Sequence, residues 1–520
     1  MKSVLSYSSS FRHRVIWLIA ITTIIRMITA SVVELGNDEA YYWTYSQKLQ
    51  WNYFDHPPMV AVWIRMFTGN LWLQQYELFI RLGSIVSCAL STWLIFVSCR
   101  LLHSEKAGWI AACLFNASVY ASIIAGIFIL PDSPQMIFWC CSLYLIIVIF
   151  HQPDKWLPWL LLGVATGLCI MSKVHGVFIW TGMGLYILLY KRQWFRLPQF
   201  YVSLIITLLI ICPIPIWNIQ NSFITYHYYI DRVAIHDFKL NTNGFFRELF
   251  GQIAYTNPVN FVLIISGIIF LRRKNEIHFT PLIIFLLIAL PMAGVLLVTS
   301  IFRDTLPHWS GPAYVTLIPF AAIYLSSVKF SFFPKIIKVS LALCSFILLA
   351  GVIITNYYPG TLGGKNNPKM GKRDVTLDMH GWKILGKEFS SLYAKDTKAG
   401  IMPYNCALIS NKWFPAAHED YYICLPEGIQ LIGFGSMIDL HHYMWMNEWR
   451  KRMSDLSSVY CIVPSNEFYN VKEKYGAFYG KIYLAAVFND WRGYTLARRF
   501  YIYRLMNWNG KLPSFDQLDS

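Results

Sequence analysis

Residues 15–33 read VIWLIAITTIIRMITASVV, a continuous hydrophobic run. A polar, aromatic stretch follows it, Asn37-Asp38-Glu39-Ala40-Tyr41-Tyr42-Trp43 and then Tyr53-Phe54-Asp55-His56-Pro57-Pro58. A helix needs about 20 apolar residues to cross a bilayer, so the hydrophobic run predicts a membrane helix. Three carboxylates and a histidine are costly to hold where such a helix leaves the lipid, which favours a site that binds something polar at the membrane face.

The composition extends this interpretation to the whole chain. The 520 residues are 56% hydrophobic and only 14% charged, with a mean hydropathy of +0.43. A soluble protein could not bury so much apolar surface, and continuous apolar runs favour helices over a barrel. The net charge of +16 comes from short basic clusters between apolar runs, which is typical of membrane topology and not of a nucleic-acid-binding face.

The hydropathy pattern predicts a polytopic helical protein with about eleven spans. With the amino terminus inside, the basic clusters fall in the inner loops, as the positive-inside rule requires. Every polar motif then falls on the outer side. The predicted spans are 15–33, 80–100, 107–129, 134–150, 156–171, 176–190, 198–216, 257–271, 278–299, 309–328 and 336–354.

The sequence predicts two domains, a transmembrane domain over residues 1–355 and a soluble domain over 356–520 on the outer side. The tail is long enough for a core of its own. Its pattern indicates a small α/β domain with a helix near 382–393 and short strands. The expected strands are 407–410, 421–425, 429–432, 459–463 and 482–487.

The first outer loop holds two candidate acidic groups, Asp38 and Glu39. A carboxylate in a desolvated, aromatic-lined pocket can serve as a general base. The alternative is a helix cap, which accounts for one carboxylate but not for two. Asp55 and His56 precede two prolines that stiffen the chain, so this pair is a candidate to orient an imidazole, meet a phosphate or hold a divalent ion.

Further polar motifs interrupt the apolar runs. Asp132 lies in a turn between two spans and is either a helix cap or a second site carboxylate. Lys173 and His175 break an apolar run and need an anionic partner, either a ligand or an outer carboxylate. Arg303 is a candidate fork for phosphate or the partner of Asp304 in a structural pair. The loop 217–257 is rich in tyrosine and is interpreted as an interfacial segment that covers a lipid head group.

These motifs resemble those of bacterial GT-C glycosyltransferases, in the group around the protein O-mannosyltransferase-like family 39 and the lipid A aminoarabinose transferase-like family 83. The resemblance lies in Asp38–Trp43, Tyr53–Pro58, Pro131-Asp132, Ser172-Lys173 with His175-Gly176, and Pro307-His308-Trp309, and it reaches the tail at Gly381-Trp382. It covers nearly the whole membrane part in the same order and is weak over the tail.

The resemblance implies an inverting transferase of the bacterial inner membrane that moves a sugar from a polyprenyl-phosphate donor to a lipid or surface-glycan acceptor on the outer, periplasmic side. It implies that Asp38 deprotonates or orients the acceptor and that Asp132 matches the second acidic motif. Aminoarabinose transferases have Glu-Lys-Pro where this chain has Asp55-His56-Pro57, so the phosphate contact is expected to fall to His56, Lys173 or Arg303. The full set of expected site residues comprises Asp38, Glu39 and Asp132 as catalytic groups, and Tyr42, Asp55, His56, Lys173, His175, Arg303 and His308 as donor contacts.

Two other functions compete with this one. A protein hydroxyl is the alternative acceptor. A transporter or flippase for a lipid-linked sugar belongs to another class, but the spans show no two-fold repeat and the polar residues crowd one side instead of the midplane. The chain has no glycine-rich nucleotide loop, so no nucleotide donor is expected. A divalent metal at Asp55 and His56 stays open, and no nucleic-acid partner is expected.

Overall fold

The structure, a computed structural model, describes residues 2–233, 240–277, 280–328, 334–450 and 455–511. The chain divides into two compact units. The first comprises Met1–Thr29, Leu49–Asn70 and Leu78–Leu348, and the second comprises Ala30–Lys48, Leu71–Glu77 and Leu349–Ser520. The second unit thus contains the predicted soluble domain together with two short segments from the amino-terminal part of the chain.

Helices dominate the described residues. They are α1 Lys2–Val32, α2 Asn37–Gln47, α3 Met59–Phe67, α4 Glu77–Leu102, α5 Glu105–Ala117, α6 Asp132–His151, α7 Trp156–Ser172, α8 Val177–Tyr190, α9 Pro198–Ile211, α10 Pro213–Gln220, α11 Ile224–Val233, α12 Thr242–Thr256, α13 Pro258–Arg273, α14 Leu282–Ser300, α15 Gly311–Ser327, α16 Lys335–Tyr357, α17 Trp382–Lys398, α18 Trp413–Glu419, α19 Leu425–Glu427, α20 Met437–Leu440, α21 Tyr443–Arg450 and α22 Val471–Tyr475.

Within the described residues, six helices are long and apolar enough to cross a membrane, and a seventh span results if α12 and α13, which meet at 90°, are taken as one. The chain is therefore a multi-pass helical membrane protein. The count of eleven stays a prediction, because several expected spans correspond to shorter helices such as α7 and α8. The six are Phe11–Val32, α4, α6, α9 with α10 (Pro198–Gln220), α14 and α16.

The predicted span 107–129 is broken. Helix α5 ends at Ala117, and a short π-helical turn follows over Tyr120–Ile124. A buried arginine of the hydrophobic run 15–33 forms hydrogen bonds with residues at this break. Arg26 of α1, only 2% exposed, donates to the Ser122 carbonyl at 3.1 Å and to Asn116 Oδ1 at 2.8 Å. A buried guanidinium is tolerable there because the broken helix offers it acceptors.

Helices α7 and α9 pack closely because α7 carries Gly163 and Gly167, four residues apart on one face. A Cβ built on Gly163 would lie 2.5 Å from the Ser203 carbonyl oxygen. The side chain of Thr207 donates back to the Gly163 carbonyl at 2.9 Å. Small residues at this spacing let two membrane helices approach to backbone contact.

The second unit is built on a five-stranded mixed sheet in the order β2-β1-β3-β5-β4. Strand β1 pairs in parallel with β2 and β3, whereas β3–β5 and β5–β4 are antiparallel. Parallel strands of this kind need crossover helices, which accounts for the helices between them. The strands are β1 Cys406–Ser410, β2 Leu431–Gly433, β3 Asp455–Pro464, β4 Tyr479–Arg492 and β5 Thr495–Trp508.

One strand prediction is wrong, and one strand was missed. The segment 421–425 is not a strand, because Asp420–Cys424 forms a buried helical turn that runs into α19. Strand β5 was not predicted, since arginines interrupt its apolar residues. One of them, Arg498, is fully buried and pairs with Asp490 at 3.0 Å, so the sheet accepts it.

The carboxylate of Glu34 helps to hold the amino-terminal segment of the second unit on the sheet domain. Both oxygens of Glu34 accept hydrogen bonds from the first backbone amides of α17, at 2.8 Å from Trp382 and 3.1 Å from Lys383. Burial raises the pKa of Glu34, while these two amides favour its charged form. A carboxylate at a helix amino terminus stabilises the helix by satisfying amides that lack partners within it.

Candidate active site

A cavity of about 630 Å³ lies within the first unit. Four stretches of chain line it, at 52–57, 173–178, 214–230 and 295–309. Its wall is mostly apolar, with few polar groups, an arrangement that suits a ligand with a greasy body and a polar head. Of the predicted donor contacts, Asp55, His56, Lys173 and His175 are brought together in this wall.

The strongest interaction at the cavity is a buried ion pair between Lys173 and Asp132. The Lys173 ammonium lies 2.8 Å from Asp132 Oδ2 and 3.0 Å from Oδ1. The Tyr120 hydroxyl donates to Oδ1 at 2.8 Å, and both charged residues are less than 5% exposed. The carboxylate keeps the buried lysine charged, whereas an isolated lysine in the same dry environment would lose its proton.

The fold accounts for the position of each partner. Helix α7 ends at Ser172, so Lys173 has an extended backbone (φ −157°, ψ 134°) before the turn Val174–Gly176 begins. Asp132 is the first residue of α6. Residues 41 positions apart thus meet at two helix ends. Asp132 is not among the residues that line the cavity. Its contacts indicate that Asp132 holds the Lys173 ammonium in position.

Aromatic rings surround the ammonium group. Lys173 Nζ is 6.0 Å from the centre of the Trp309 ring, and His175 is 6.0 Å from the same ring, centre to centre. His308 lies in the turn Pro307–Ser310. Burial first, and the charge of Lys173 second, lower the pKa of His308 to about 4, so this ring is neutral near pH 7.

Residues of α11 form hydrogen bonds with the loop that carries Asp55 and His56. The Tyr229 hydroxyl donates to the Asp55 carbonyl oxygen, and Thr225 donates to the Tyr53 carbonyl at 3.2 Å. The His56 ring is 6.3 Å from the Tyr229 ring, centre to centre. The segment 217–257 contributes Tyr226 and Tyr229 to the cavity, and residues 234–239 lie outside the described part of the chain. Its interpretation as a cover for a lipid head group stays a prediction.

A third wall is built by the segment 303–305. Asp304 pairs with Arg247 at 2.6 Å. This hydrogen bond lowers the pKa of Asp304. Of this segment, the described residues that line the cavity are Asp304 and Thr305. The Thr305 hydroxyl donates to the buried carboxylate of Glu248 at 2.7 Å.

Sequence reasoning did not identify Glu248. It is fully buried, and Gln252 donates to its other oxygen at 2.8 Å. Tyr314 donates in turn to Gln252 at 2.8 Å. A glutamate next to apolar residues such as Phe246 and Leu249 was the available signal, because such a residue needs buried partners where it faces the core.

The remaining predicted residues, Asp38, Glu39 and Tyr42, lie on α2 in the second unit. Glu39 is 2% exposed and accepts a hydrogen bond from the Gly36 amide at 2.9 Å, so it caps the amino terminus of α2. Tyr42 packs in an aromatic cluster, 5.5 Å from Tyr45 between ring centres. Asp38 is exposed at the amino terminus of the helix.

The described residues contain no group of three or more His, Cys, Asp or Glu side chains placed to hold a metal ion. Asp55 and His56 both line the cavity. They supply at most two ligands there, so a metal at this position would need further ligands from substrate or water.

Comparisons with known proteins agree with this architecture. Residues 55–217 match the family described as dolichyl-phosphate-mannose-protein mannosyltransferase. The chain is 20% identical over 407 residues to the lipid A galacturonosyltransferase RgtD of Rhizobium johnstonii, which is 78% of this chain and 82% of that protein.

Two solved structures have the same fold along almost the whole chain. They are ArnT from Cupriavidus metallidurans bound to undecaprenyl phosphate (TM-score 0.64, 14% identity, 94% of this chain and 98% of that one) and the same protein in the apo state (TM-score 0.60, 12% identity, with the same shares covered). The fold is that of the GT-C membrane glycosyltransferases, and the enzyme class expected from the motifs is confirmed. Among known proteins, the chain is similar to transferases that modify lipid A.

Proposed function

We propose that this protein transfers a sugar from a polyprenyl-phosphate carrier to a lipid or surface-glycan acceptor, with inversion at the anomeric carbon. The observation that carries the proposal is the apolar cavity of the first unit, with the Lys173 ammonium in its wall. A polyprenyl chain needs an apolar wall, and its phosphate needs a cation at one end. A relative of the same fold holds undecaprenyl phosphate.

The chemistry divides between a leaving group and a base. As the glycosidic bond to the carrier breaks, negative charge grows on the phosphate oxygen, and a fixed cation stabilises it in a water-poor cavity. Lys173 is the proposed cation, and His56 stands where the aminoarabinose transferases have lysine. Asp38 is proposed as the base that takes the proton of the acceptor hydroxyl, a role that the resemblance implies.

Asp132 has a different role in this proposal from the one first expected. Its carboxylate is occupied by Lys173 and Tyr120, so it positions the ammonium instead of exchanging a proton. Glu39 caps α2 through the Gly36 amide, and Asp38 is the acidic group of that pair to which the resemblance assigns the catalytic role.

The acceptor and the location are also proposed. The similarity to a lipid A galacturonosyltransferase favours lipid A or a related glycolipid, and we place the reaction on the periplasmic side of the bacterial inner membrane. A protein hydroxyl is the second candidate acceptor, because residues 55–217 match a protein mannosyltransferase family.

The test is turnover by the purified full-length protein. Undecaprenyl-phosphate sugars are supplied with lipid A or with an acceptor peptide, and release of free undecaprenyl phosphate is followed. We expect release with lipid A, and an Asp38→Asn variant at least about 100-fold slower, the scale of a lost general base. Release with the peptide alone would favour the second acceptor. A folded protein that releases no carrier from any such donor would contradict the enzyme, and movement of intact donor across vesicles would favour a flippase.

A further inference from the structure

The second unit contains a small pocket that the proposed transfer reaction does not use. Its volume is about 180 Å³, and three lysines line it: Lys369, Lys372 and Lys412. At roughly 30 Å³ per water molecule this is room for about six waters, which suits a phosphate group with the first atoms of the sugar that bears it.

The lysines come from separate parts of the chain and are held there by the fold. Lys369 and Lys372 lie in the segment 360–374, which is rich in Gly, Lys and Asn. The Met370 carbonyl between them accepts a hydrogen bond from Ser465 at 2.7 Å. Gly371 has φ +83°, and a Cβ on it would meet Leu377 at 2.8 Å, so the turn is specific to glycine. Lys412 follows strand β1.

The acidic groups near these lysines do not balance them. Glu467 also lines the pocket. Lys412 approaches Asp439 at 3.8 Å, a long contact between two half-exposed groups, which is worth little. Burial raises the pKa of Glu467, and the charges of Lys412 and Lys372 offset only part of this effect. One carboxyl group thus faces three lysines among the residues that line the pocket. The pocket therefore has an excess of positive charge.

A second observation points independently to a ligand. Asn466 lines the pocket and is only 6% exposed, yet its Oδ1 atom has no hydrogen-bond partner among the described residues. A buried amide oxygen without a partner costs free energy, so such groups are normally satisfied by protein, water or ligand. A ligand hydroxyl placed beside the lysines would supply the missing donor.

We propose that this pocket binds a phosphate monoester carried on a sugar, with the phosphate on the three lysines and a sugar hydroxyl on Asn466. Lysine ammoniums act as point charges that suit a phosphate without imposing a planar geometry. The ligand is either a free sugar phosphate or the phosphorylated sugar of a glycolipid head group, since both present the same atoms.

The test measures binding to the purified full-length protein by calorimetry, with glucosamine 1-phosphate, inorganic phosphate and glucosamine as probes. We expect glucosamine 1-phosphate to bind more tightly than inorganic phosphate, and glucosamine not to bind. The Lys372→Gln/Lys412→Gln variant should bind at least about tenfold more weakly, because two charge-assisted hydrogen bonds are lost. Asn466→Leu should reduce binding of the sugar phosphate but not of inorganic phosphate.

The matched control is Lys395→Gln/Lys398→Gln, which removes two exposed charges from the last turn of α17 and should bind like the wild type. A monophosphorylated glycolipid added to the micelles distinguishes the sources: competition by it, and not by its dephosphorylated form, indicates a head group, whereas no competition indicates a free sugar phosphate. Equal loss in the control pair, or no binding by the wild type, would overturn the proposal. Because no transfer is measured, failure here leaves the proposed reaction untouched.

Discussion

At the scale of single residues, the cavity depends on one buried ion pair. Asp132 and Lys173 satisfy each other at 2.8 Å in a setting where neither charge would be stable alone. Breaking a buried pair from one side leaves an unpaired charge, which costs more than removing both groups together. The free energies of unfolding of the single and double variants therefore reveal whether the two side chains interact.

We expect Asp132→Asn and Lys173→Met each to destabilise the protein by about 3–5 kcal/mol, and the double variant to lose clearly less than the sum of the two. Thermal unfolding in detergent provides the measurement. Strictly additive losses would show that the two side chains act independently and would remove the proposed positioning role of Asp132.

The pairing itself could not be predicted from the sequence. Both residues were singled out as candidates, but they lie 41 positions apart in separate motifs, and a single sequence does not reveal which motifs meet. Glu248 and Arg26 were missed for a related reason. Each is an ionisable group within a helix, and its partners include residues far away in the sequence, Ser122 for Arg26 and Thr305 for Glu248.

At the scale of elements, helix contacts in the first unit rest on small residues. Gly163 of α7 lies against the backbone of α9, whereas Gly184 of α8 has open space around the position of its absent Cβ. Both glycines lie inside helices, so a change to alanine alters helix propensity in the same way at each position. A difference in stability between the two variants then reports the packing around Gly163.

Gly163→Ala should therefore destabilise the protein by about 1–3 kcal/mol, the usual cost of overpacking. Gly184→Ala should be neutral or stabilising by up to about 1 kcal/mol, because alanine is the better helix former. Unfolding temperatures of the two variants, measured side by side, provide the comparison. Equal behaviour of both would show that α7 and α9 do not pack through this glycine.

The sheet domain shows which elements a pattern can identify. Strands β1 and β3 are continuous apolar runs between turn residues, and both were predicted. The segment 421–425 has equally strong strand propensity but forms a helical turn, since its burial comes from contacts on more than one side. Tertiary packing, and not strand propensity, thus decides which structure such a segment adopts.

At the scale of the whole molecule, stability should depend on pH through the second unit. Burial raises the pKa of Asp378 from 3.8 to about 7, against the opposing effects of Arg498 and Asn37. The folded state therefore binds this proton more tightly than the unfolded state. The stabilisation is complete below about pH 4 and is lost as the pH rises through 7.

Asp378→Asn removes this titration. We expect the wild type to lose stability relative to the variant between pH 5 and 8, and the difference to flatten below about pH 4. Unfolding temperatures across this pH range provide the measurement. The opposite slope would mean that Asp378 is stabilised in its charged form.

The fold class followed from the hydropathy, because lipid restricts a spanning chain to very few structures. The enzyme class followed from the resemblance of the motifs to a known family. The division of the chain into two units was harder to predict from the sequence. Residues 30–48 and 71–77 precede most of the spans, yet they belong with the sheet domain. Contacts such as those of Glu34 with α17 join residues nearly 350 positions apart, and no local pattern reports them.

The most direct test of the account is whether the cavity of the first unit binds the carrier through its phosphate. Native mass spectrometry of the purified protein can compare undecaprenyl phosphate with undecaprenol, which lacks the phosphate. We predict that the wild type prefers the phosphate, and that Lys173→Met loses this preference while Lys155→Met, an exposed loop control, retains it. Equal binding of the two lipids by the wild type, or an unchanged preference in Lys173→Met, would contradict the account.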